Sequence, residues 1–86
     1  MFFVYVLYSD RAGRYYTGQT HDVMERLLQH NRGLSKSTCH GVPWRVLHSE
    51  PFQTRAEAMK REKFLKSGAG REELKRLLLS IDGPEI

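Results

Sequence analysis

The sequence has little cysteine and no long apolar run, and each shortage excludes a class of protein. One cysteine, Cys39, among 86 residues leaves no partner for a disulfide bond within the chain. It also leaves no Cys-x-x-Cys pair, which argues against a structural zinc site. Apolar runs such as Leu77–Leu79 are short, so no membrane-spanning helix is predicted. The apolar start Met1–Tyr8 has no basic region or cleavage site, so we expect a buried strand and a cytoplasmic protein.

Basic residues are in modest excess over acidic residues. Lysine and arginine number 14 and aspartate and glutamate 10, which gives a formal net charge of +4. This balance permits a polyanionic partner, but it is equally typical of a soluble basic protein. A chain of 86 residues builds one modest core. We therefore expect a single domain over residues 1–81 and a flexible C-terminal tail over 82–86.

Hydrophobic periodicity and turn residues predict the element order β-β-α-β-α-α. The predicted strands cover residues 2–9, 15–20 and 44–49, and the predicted helices cover 22–31, 54–66 and 71–80. Residues 32–41 are rich in glycine, serine and threonine and predict a loop. Glycines at 68 and 70 predict a break between the last two helices.

Two tyrosines of the predicted hairpin are candidates for chemistry. Tyr5 lies in the middle of the first strand and Tyr16 lies in the second, so their hydroxyls can meet in one pocket. The alternative is that tyrosine is simply a good strand residue whose hydroxyl reaches water. Gly18, in the second strand, predicts a bulge or a close approach of another group to the backbone.

The first predicted helix carries a basic pair at the margin of its apolar side. Arg26 and His30 lie one turn apart on a face that borders Val23 and Leu27. A guanidinium in such a place generally has a fixed anionic partner, and its forked donors suit phosphate. The alternative is an arginine whose charged end reaches water beside a half-buried histidine.

Glu62 is a carboxylate on the apolar stripe of the second predicted helix, which also includes Ala58 and Leu65. Burial of a carboxylate is costly unless the group is paired or binds a cation. One carboxylate completed by water is a common way to hold Mg²⁺. The alternative is an ion pair with Arg26 or with a lysine.

Together these residue types supply the parts of phosphodiester hydrolysis. A metal ion polarises a phosphate oxygen, and an arginine neutralises the charge that builds on the phosphate. A tyrosine or histidine takes the proton from the attacking water. The sequence lacks a Ser-His-Asp set, a Walker loop and a G-x-G-x-x-G motif, so the chemistries that need them are not indicated.

The ordered set of these residues resembles the GIY-YIG nuclease superfamily, and its small stand-alone bacterial branch in particular. Residues 3–5, Phe-Val-Tyr, resemble the first signature tripeptide, and residues 16–18, Tyr-Thr-Gly, resemble the second. Arg26, His30 and Glu62 then follow in the family's order. The resemblance implies an α/β (α+β) fold with a three-stranded antiparallel sheet flanked by helices, in agreement with the predicted element order.

The resemblance also implies a role for each candidate residue in single-metal hydrolysis of DNA. Tyr5 would activate or orient the water, and Tyr16 would position water or phosphate. Arg26 would bind the scissile phosphate, and His30 would assist the base or hold the phosphate. Glu62 would hold Mg²⁺ or Mn²⁺.

The sequence departs from the family pattern at several positions. The leading Gly-Ile of the first tripeptide is Phe-Val, and the middle residue of the second is Thr17. Many enzymes of the superfamily carry a late asparagine near the site, whereas the one asparagine here, Asn31, lies in the first predicted helix. Gly18 keeps its place and would allow close backbone approach.

Basic residues crowd the second half of the chain and suggest a path for a phosphate backbone. They are Arg55, Lys60, Arg61, Lys63, Lys66, Arg71, Lys75 and Arg76. Lys66 among them, and Lys36 with Arg32 in the predicted loop, are candidates for substrate binding. The alternative is a helix surface laced with ion pairs, for example between Glu72 and Arg76.

These observations predict a divalent-metal-dependent endonuclease that hydrolyses branched or single-stranded DNA in repair or recombination. The alternative is a nucleic-acid-binding module with the nuclease fold and little or no catalysis, since the late asparagine is missing. The chain leaves no room for a dedicated recognition domain. Substrate selection is therefore expected from this domain or from a separate protein partner.

Overall fold

The computed structural model describes residues 1–79. Predictions for Ser80 and beyond, including the flexible tail over 82–86, lie outside the described residues. The elements are β1 (Phe2–Ser9), β2 (Arg14–Thr20), α1 (Val23–Asn31), β3 (Trp44–Phe52), α2 (Arg55–Leu65) and α3 (Gly68–Leu79). The predicted order β-β-α-β-α-α is confirmed.

The three strands form one antiparallel sheet in the order β2-β1-β3. The β1–β2 hairpin closes at Gly13, which has a φ of 62° and donates its N–H to the carbonyl of Ser9 over 2.8 Å. Glycine adopts this left-handed conformation without steric cost. The central position of β1 explains its nearly continuous apolar sequence.

Residues of β1 alternate between two cores on opposite faces of the sheet. Tyr5 and Leu7 pack with Trp44 and with apolar residues of α1, whereas Val4 and Val6 face the other helices. On that second face, Val4 contacts α2 at Ala58 and Leu65, and Val6 contacts Leu74 of α3. The predicted α+β fold, a three-stranded sheet flanked by helices, is therefore confirmed.

Asp22 and Thr54, the first residues of the first two predicted helices, cap α1 and α2. Asp22 Oδ1 accepts the backbone N–H of Glu25 over 3.0 Å, and Thr54 Oγ1 accepts that of Glu57 over 3.2 Å. Each bond satisfies an N–H that has no partner within its helix. Since both caps were evident as spacings in the sequence, both helix starts were predictable.

Two predicted boundaries were wrong. The third strand continues past Ser49 to Phe52 and includes Pro51, which is tolerated because β3 lies at the edge of the sheet. The last helix begins at Gly68, so the glycines at 68 and 70 lie inside its first turn rather than in a break. Position 70 requires glycine, because a Cβ atom there would lie only 1.8 Å from the Phe64 carbonyl oxygen of α2.

None of the helices within residues 1–79 has the length and apolar character needed to cross a membrane.

Candidate active site

Tyr5 and Gly18 lie opposite each other in the β1–β2 hairpin, and this pairing shapes the centre of the site. A Cβ atom on Gly18 would lie 2.7 Å from Tyr5 Oη and 3.1 Å from Cε1 of Tyr16. The missing side chain therefore makes room for the Tyr5 phenol across β2. The close approach that the sequence predicted at Gly18 is present, and the ring centroids of the two tyrosines lie 6.2 Å apart.

His30 brings a side chain of α1 into contact with the two tyrosines. Its Nε2 lies 3.0 Å from Tyr5 Oη, and its ring centroid lies 5.0 Å from that of Tyr16. The side chain is fully buried, so it is not the half-buried histidine of the alternative interpretation. The three rings form one cluster, which the hypothesis of a shared pocket requires.

Thr38 sets the direction of the hydrogen bonds through His30. Thr38 Oγ1 lies 2.7 Å from His30 Nδ1, and the threonine hydroxyl donates to the Ser35 carbonyl over 3.5 Å. We assign Nδ1–H as the donor to Thr38 and Nε2 as the acceptor of the Tyr5 hydroxyl hydrogen, an arrangement that lets the Thr38 hydroxyl donate to the Ser35 carbonyl. Trp44 Nε1 donates to the Thr38 carbonyl over 2.7 Å and anchors this part of the loop.

Burial keeps both members of the Tyr5–His30 pair neutral. Burial raises the pKa of Tyr5 to about 12, and Tyr16 and Glu62 add to the rise. A hydrogen bond and positive charge from Arg26 act in the opposite direction. Burial, with a smaller contribution from Arg26, lowers the pKa of His30. At neutral pH the pair is thus a phenol that donates to an imidazole.

Arg26 places a positive charge beside this pair. Its Nη1 donates to Gln29 Oε1 over 2.7 Å, and Gln29, which we expected on the outer side of α1, is half-buried. Among the described residues, no ion pair involves Arg26. A half-buried guanidinium whose side-chain partners are neutral can receive a phosphate.

Glu62 approaches the site from α2. Its side chain is half-buried and bonds Lys66, whose Nζ lies 2.7 Å from Glu62 Oε2. The lysine alternative for Glu62 is therefore present, and the Arg26 alternative is not. Lys66 also lines a groove together with Tyr16 of the ring cluster, which connects Glu62 to the site.

The donor set around Glu62 fits a hard cation held through one protein ligand. The ammonium of Lys66 already occupies a cation position at the carboxylate. Across residues 1–79, His, Cys, Asp and Glu form no group of three or more that could enclose a metal ion. Mg²⁺ commonly takes one or two carboxylates and completes its shell with water and substrate phosphate. A single Glu62 therefore suffices for it.

The other proposed substrate contacts lie farther out. Lys36 is exposed on the loop between α1 and β3, and its carbonyl accepts from Cys39 Sγ over 3.3 Å. The structure thus does not bring Lys36 into the ring cluster. Lys66 pairs with Glu62 and lines a groove together with Tyr16.

Two polar residues have roles that the sequence did not indicate. Thr38 is buried beside His30, which lies eight positions earlier in the chain, and no pattern in the sequence indicated this contact. Asn31 bonds the backbone of Trp44, donating to its carbonyl over 3.0 Å and accepting its N–H over 2.6 Å. Asn31 therefore ties α1 to the start of β3 instead of supplying the missing late asparagine.

The family model described as the GIY-YIG catalytic domain matches residues 1–75. This chain belongs to the GIY-YIG family. The GIY-YIG catalytic domain has a nuclease-type fold, and the tyrosines, Arg26, His30 and Glu62 all lie within the matched range.

Relatives of this GIY-YIG chain are small proteins named UPF0213. One from Halobacterium salinarum is 41% identical over 63 residues, which cover 72% of this chain and 80% of the relative. One from Listeria innocua is 48% identical over 62 residues, which cover 70% and 67%. The solution NMR structure of a UPF0213 protein from Bacillus halodurans is 34% identical, with a TM-score of 0.54 over 90% of this chain and 85% of that one. These names state no activity, so the function must be argued from the site.

Proposed function

We propose that this chain is a divalent-metal-dependent endonuclease that hydrolyses phosphodiester bonds in DNA. One observation carries the proposal: Tyr16 lies beside the hydrogen-bonded Tyr5 and His30, and it lines one groove with Lys66, the ion-pair partner of Glu62. A proton relay, a phosphate-binding cation and a carboxylate for a metal ion are thus close together. The family supports the same class of chemistry.

Tyr5 and His30 move the proton of the attacking water. The water oxygen forms a bond to phosphorus, and the bond from phosphorus to the leaving oxygen breaks. The water proton passes to Tyr5 Oη while the hydroxyl proton of Tyr5 passes to His30 Nε2. This relay needs no free phenolate, whose formation the pKa of about 12 opposes.

Arg26 makes the relay responsive to substrate. In the free protein its charge lowers the pKa of His30 and opposes formation of the imidazolium. A phosphate bound to the guanidinium neutralises that charge, so the imidazolium costs less when substrate is present. Tyr16, whose ring lies beside both Tyr5 and His30, holds the water or the phosphate in place.

Glu62 would hold Mg²⁺ or Mn²⁺, with Lys66 displaced from the carboxylate. When bound, the ion supplies Lewis-acid polarisation of a phosphate oxygen and stabilises the leaving oxygen. The released Lys66 ammonium is then available to a neighbouring phosphate. Gly18 leaves the room that the Tyr5 phenol occupies beside β2.

One observation favours the second candidate, a binding module without catalysis. Lys66 Nζ lies 2.7 Å from Glu62 Oε2, and an ammonium that stays in place would compete with a metal ion for the carboxylate. Such a protein would keep salt-dependent affinity for nucleic acid and cleave nothing.

Covalently closed circular single-stranded DNA separates the two candidates. An endonuclease converts the circle to a linear strand with Mg²⁺ or Mn²⁺, and not with EDTA. A binding module retards the circle in a gel and leaves it closed under every metal condition. Conversion at the same rate in EDTA would reject the metal dependence.

A further inference from the structure

We propose that the groove between β2 and α3 binds an unpaired stretch of DNA next to the scissile phosphate. The inference rests on the proposed function and names its substrate class, a strand with exposed bases. Arg14–Thr17 of β2 form one wall, and the opposite side is formed by Leu65, Lys66, Arg71, Leu74 and Lys75. The groove has a volume of about 470 Å³.

The charge of the groove favours a polyanion. Of its described lining residues, four are cationic and none carries a carboxylate: Arg14, Lys66, Arg71 and Lys75. Lys66 pairs with Glu62 over 2.7 Å and Lys75 pairs with Glu72 over 3.5 Å, whereas no ion pair among the described residues involves Arg14 or Arg71. The exposed edge of β2 could also pair with a peptide strand, but backbone pairing does not call for four cations. A phosphodiester backbone does, since each phosphate carries one negative charge.

The aromatic side chains of the groove favour an exposed base over a duplex. Tyr15 and Tyr16 line the groove and are half-buried, so part of each ring is accessible, whereas Leu65 and Leu74 are almost completely buried and offer little contact area. Aromatic rings stack with bases of any sequence, which is the usual mode of binding to single strands. A duplex keeps its base faces stacked inside and cannot offer them to these rings. The volume also lies in the range of clefts that hold ligands of small-molecule size.

The groove is continuous with the candidate active site. Tyr16 lies in its wall and in the ring cluster with Tyr5 and His30. Lys66 lines the groove and pairs with Glu62. A strand whose phosphate lies at Arg26 can therefore place a neighbouring nucleotide in the groove.

Binding without cleavage tests this inference. The probe is a fluorescein-labelled twelve-nucleotide oligothymidylate in EDTA, compared with a duplex of the same length by fluorescence anisotropy. We expect the single strand to bind more tightly than the duplex. The double variant Arg71→Gln/Lys75→Gln should weaken single-strand binding about tenfold and reduce the salt slope by about 1.4, because each lost phosphate contact contributes about 0.7.

The matched control is Lys60→Gln/Lys63→Gln, which removes the same charge from α2 outside the groove. It should bind the single strand within about twofold of the unmodified protein, and thermal unfolding should show that all variants are folded. Equal weakening by both double variants, or a duplex bound as tightly as the single strand, would overturn the inference.

The outcomes also separate this inference from the proposed nuclease activity. Specific weakening by the groove variant, in a protein that cleaves no DNA with any divalent ion, would keep the groove and reject the nuclease. Cleavage of DNA by a groove variant with undiminished binding would reject the groove alone.

Discussion

At the residue scale, the hydrogen-bond chain Tyr5–His30–Thr38 is the most defined feature of the site. Its two links measure 3.0 and 2.7 Å, and all three side chains are buried. Burial makes each link costly to break, because a buried polar group left without a partner loses its hydration without compensation. The chain thereby fixes the imidazole tautomer that can receive a proton from Tyr5.

Thr38→Val tests whether that tautomer contributes to folding stability and to cleavage. The change keeps the shape of the side chain and leaves His30 Nδ1–H unpaired, at a cost of about 1–3 kcal/mol in the free energy of unfolding. Single-turnover cleavage should fall roughly tenfold or more, within the range of general acid–base contributions. Thr38→Ser keeps the hydroxyl and should restore both quantities, measured by urea unfolding and by the circle assay. Equal rates for the serine and valine variants would contradict the role given to Thr38.

His30 should make folding stability depend on pH. The pKa of His30 is lowered in the folded protein by burial and by the charge of Arg26. As the pH falls below the usual value of 6.5, His30 therefore takes up a proton in the unfolded chain before it does so in the folded chain. Stability is then fully present above pH 6.5 and falls in more acidic solution by up to about 1.4 kcal/mol per pH unit. Urea unfolding between pH 7.5 and 5.5 should show this slope, and His30→Gln should reduce it. An unchanged slope in the variant would assign the pH dependence to other groups.

At the element scale, local chemistry that can be read along the chain was predictable and long-range packing was not. The caps Asp22 and Thr54 are local signals, and both helices begin where they indicate. The start of α3 was missed because Gly70 meets the carbonyl of Phe64, a contact made only when two helices pack. The end of β3 was missed because Pro51 is acceptable only in a strand at the sheet edge.

Gly70 and Gly68 offer a matched pair for testing that packing. A Cβ atom at position 70 would lie 1.8 Å from the Phe64 carbonyl oxygen, whereas position 68 has open space. Gly70→Ala should lower the free energy of unfolding by about 1–3 kcal/mol, because the α2–α3 contact must separate. Gly68→Ala should leave stability unchanged or raise it by up to about 1 kcal/mol, since alanine favours a helix. Thermal unfolding of both variants measures the difference, and equal melting temperatures would contradict the packing argument.

The same distinction applies to the candidate site. Tyr5, Tyr16 and His30 lie in regular elements, so periodicity could pair the two tyrosines across the hairpin and set His30 at the margin of the apolar side of its helix. The contact between His30 and the tyrosines depends on how α1 packs on the sheet, and the structure shows it. Thr38 lies in a loop, where no periodicity predicts the direction of a side chain. For Glu62, spacing left an arginine or a lysine as partner, and the one-turn contact with Lys66 decides between them.

At the scale of the whole molecule, the structure shows where the basic residues behind the net charge of +4 lie. Part of the basic surplus is used internally, because Arg61 of α2 bonds Glu50 of β3 and Glu73 of α3. The helix-surface alternative is present on α3 as a pair between Glu72 and Lys75 over 3.5 Å, and not between Glu72 and Arg76 among the described residues. Burial alone would raise the pKa of Glu50, but hydrogen bonds from Arg61 and His48 outweigh it and lower that pKa. The cations of the groove lie beside the ring cluster, where a polyanion would need them.

The most direct test of the central claim is the rate at which Glu62→Gln converts circular single-stranded DNA to linear strands in Mg²⁺. Glutamine keeps the size of the side chain and removes the charge that would hold the ion, so the rate should fall at least about a hundredfold. Glu25→Gln, an exposed change on α1, should cleave at the unmodified rate. Undiminished metal-dependent cleavage by Glu62→Gln would contradict the account.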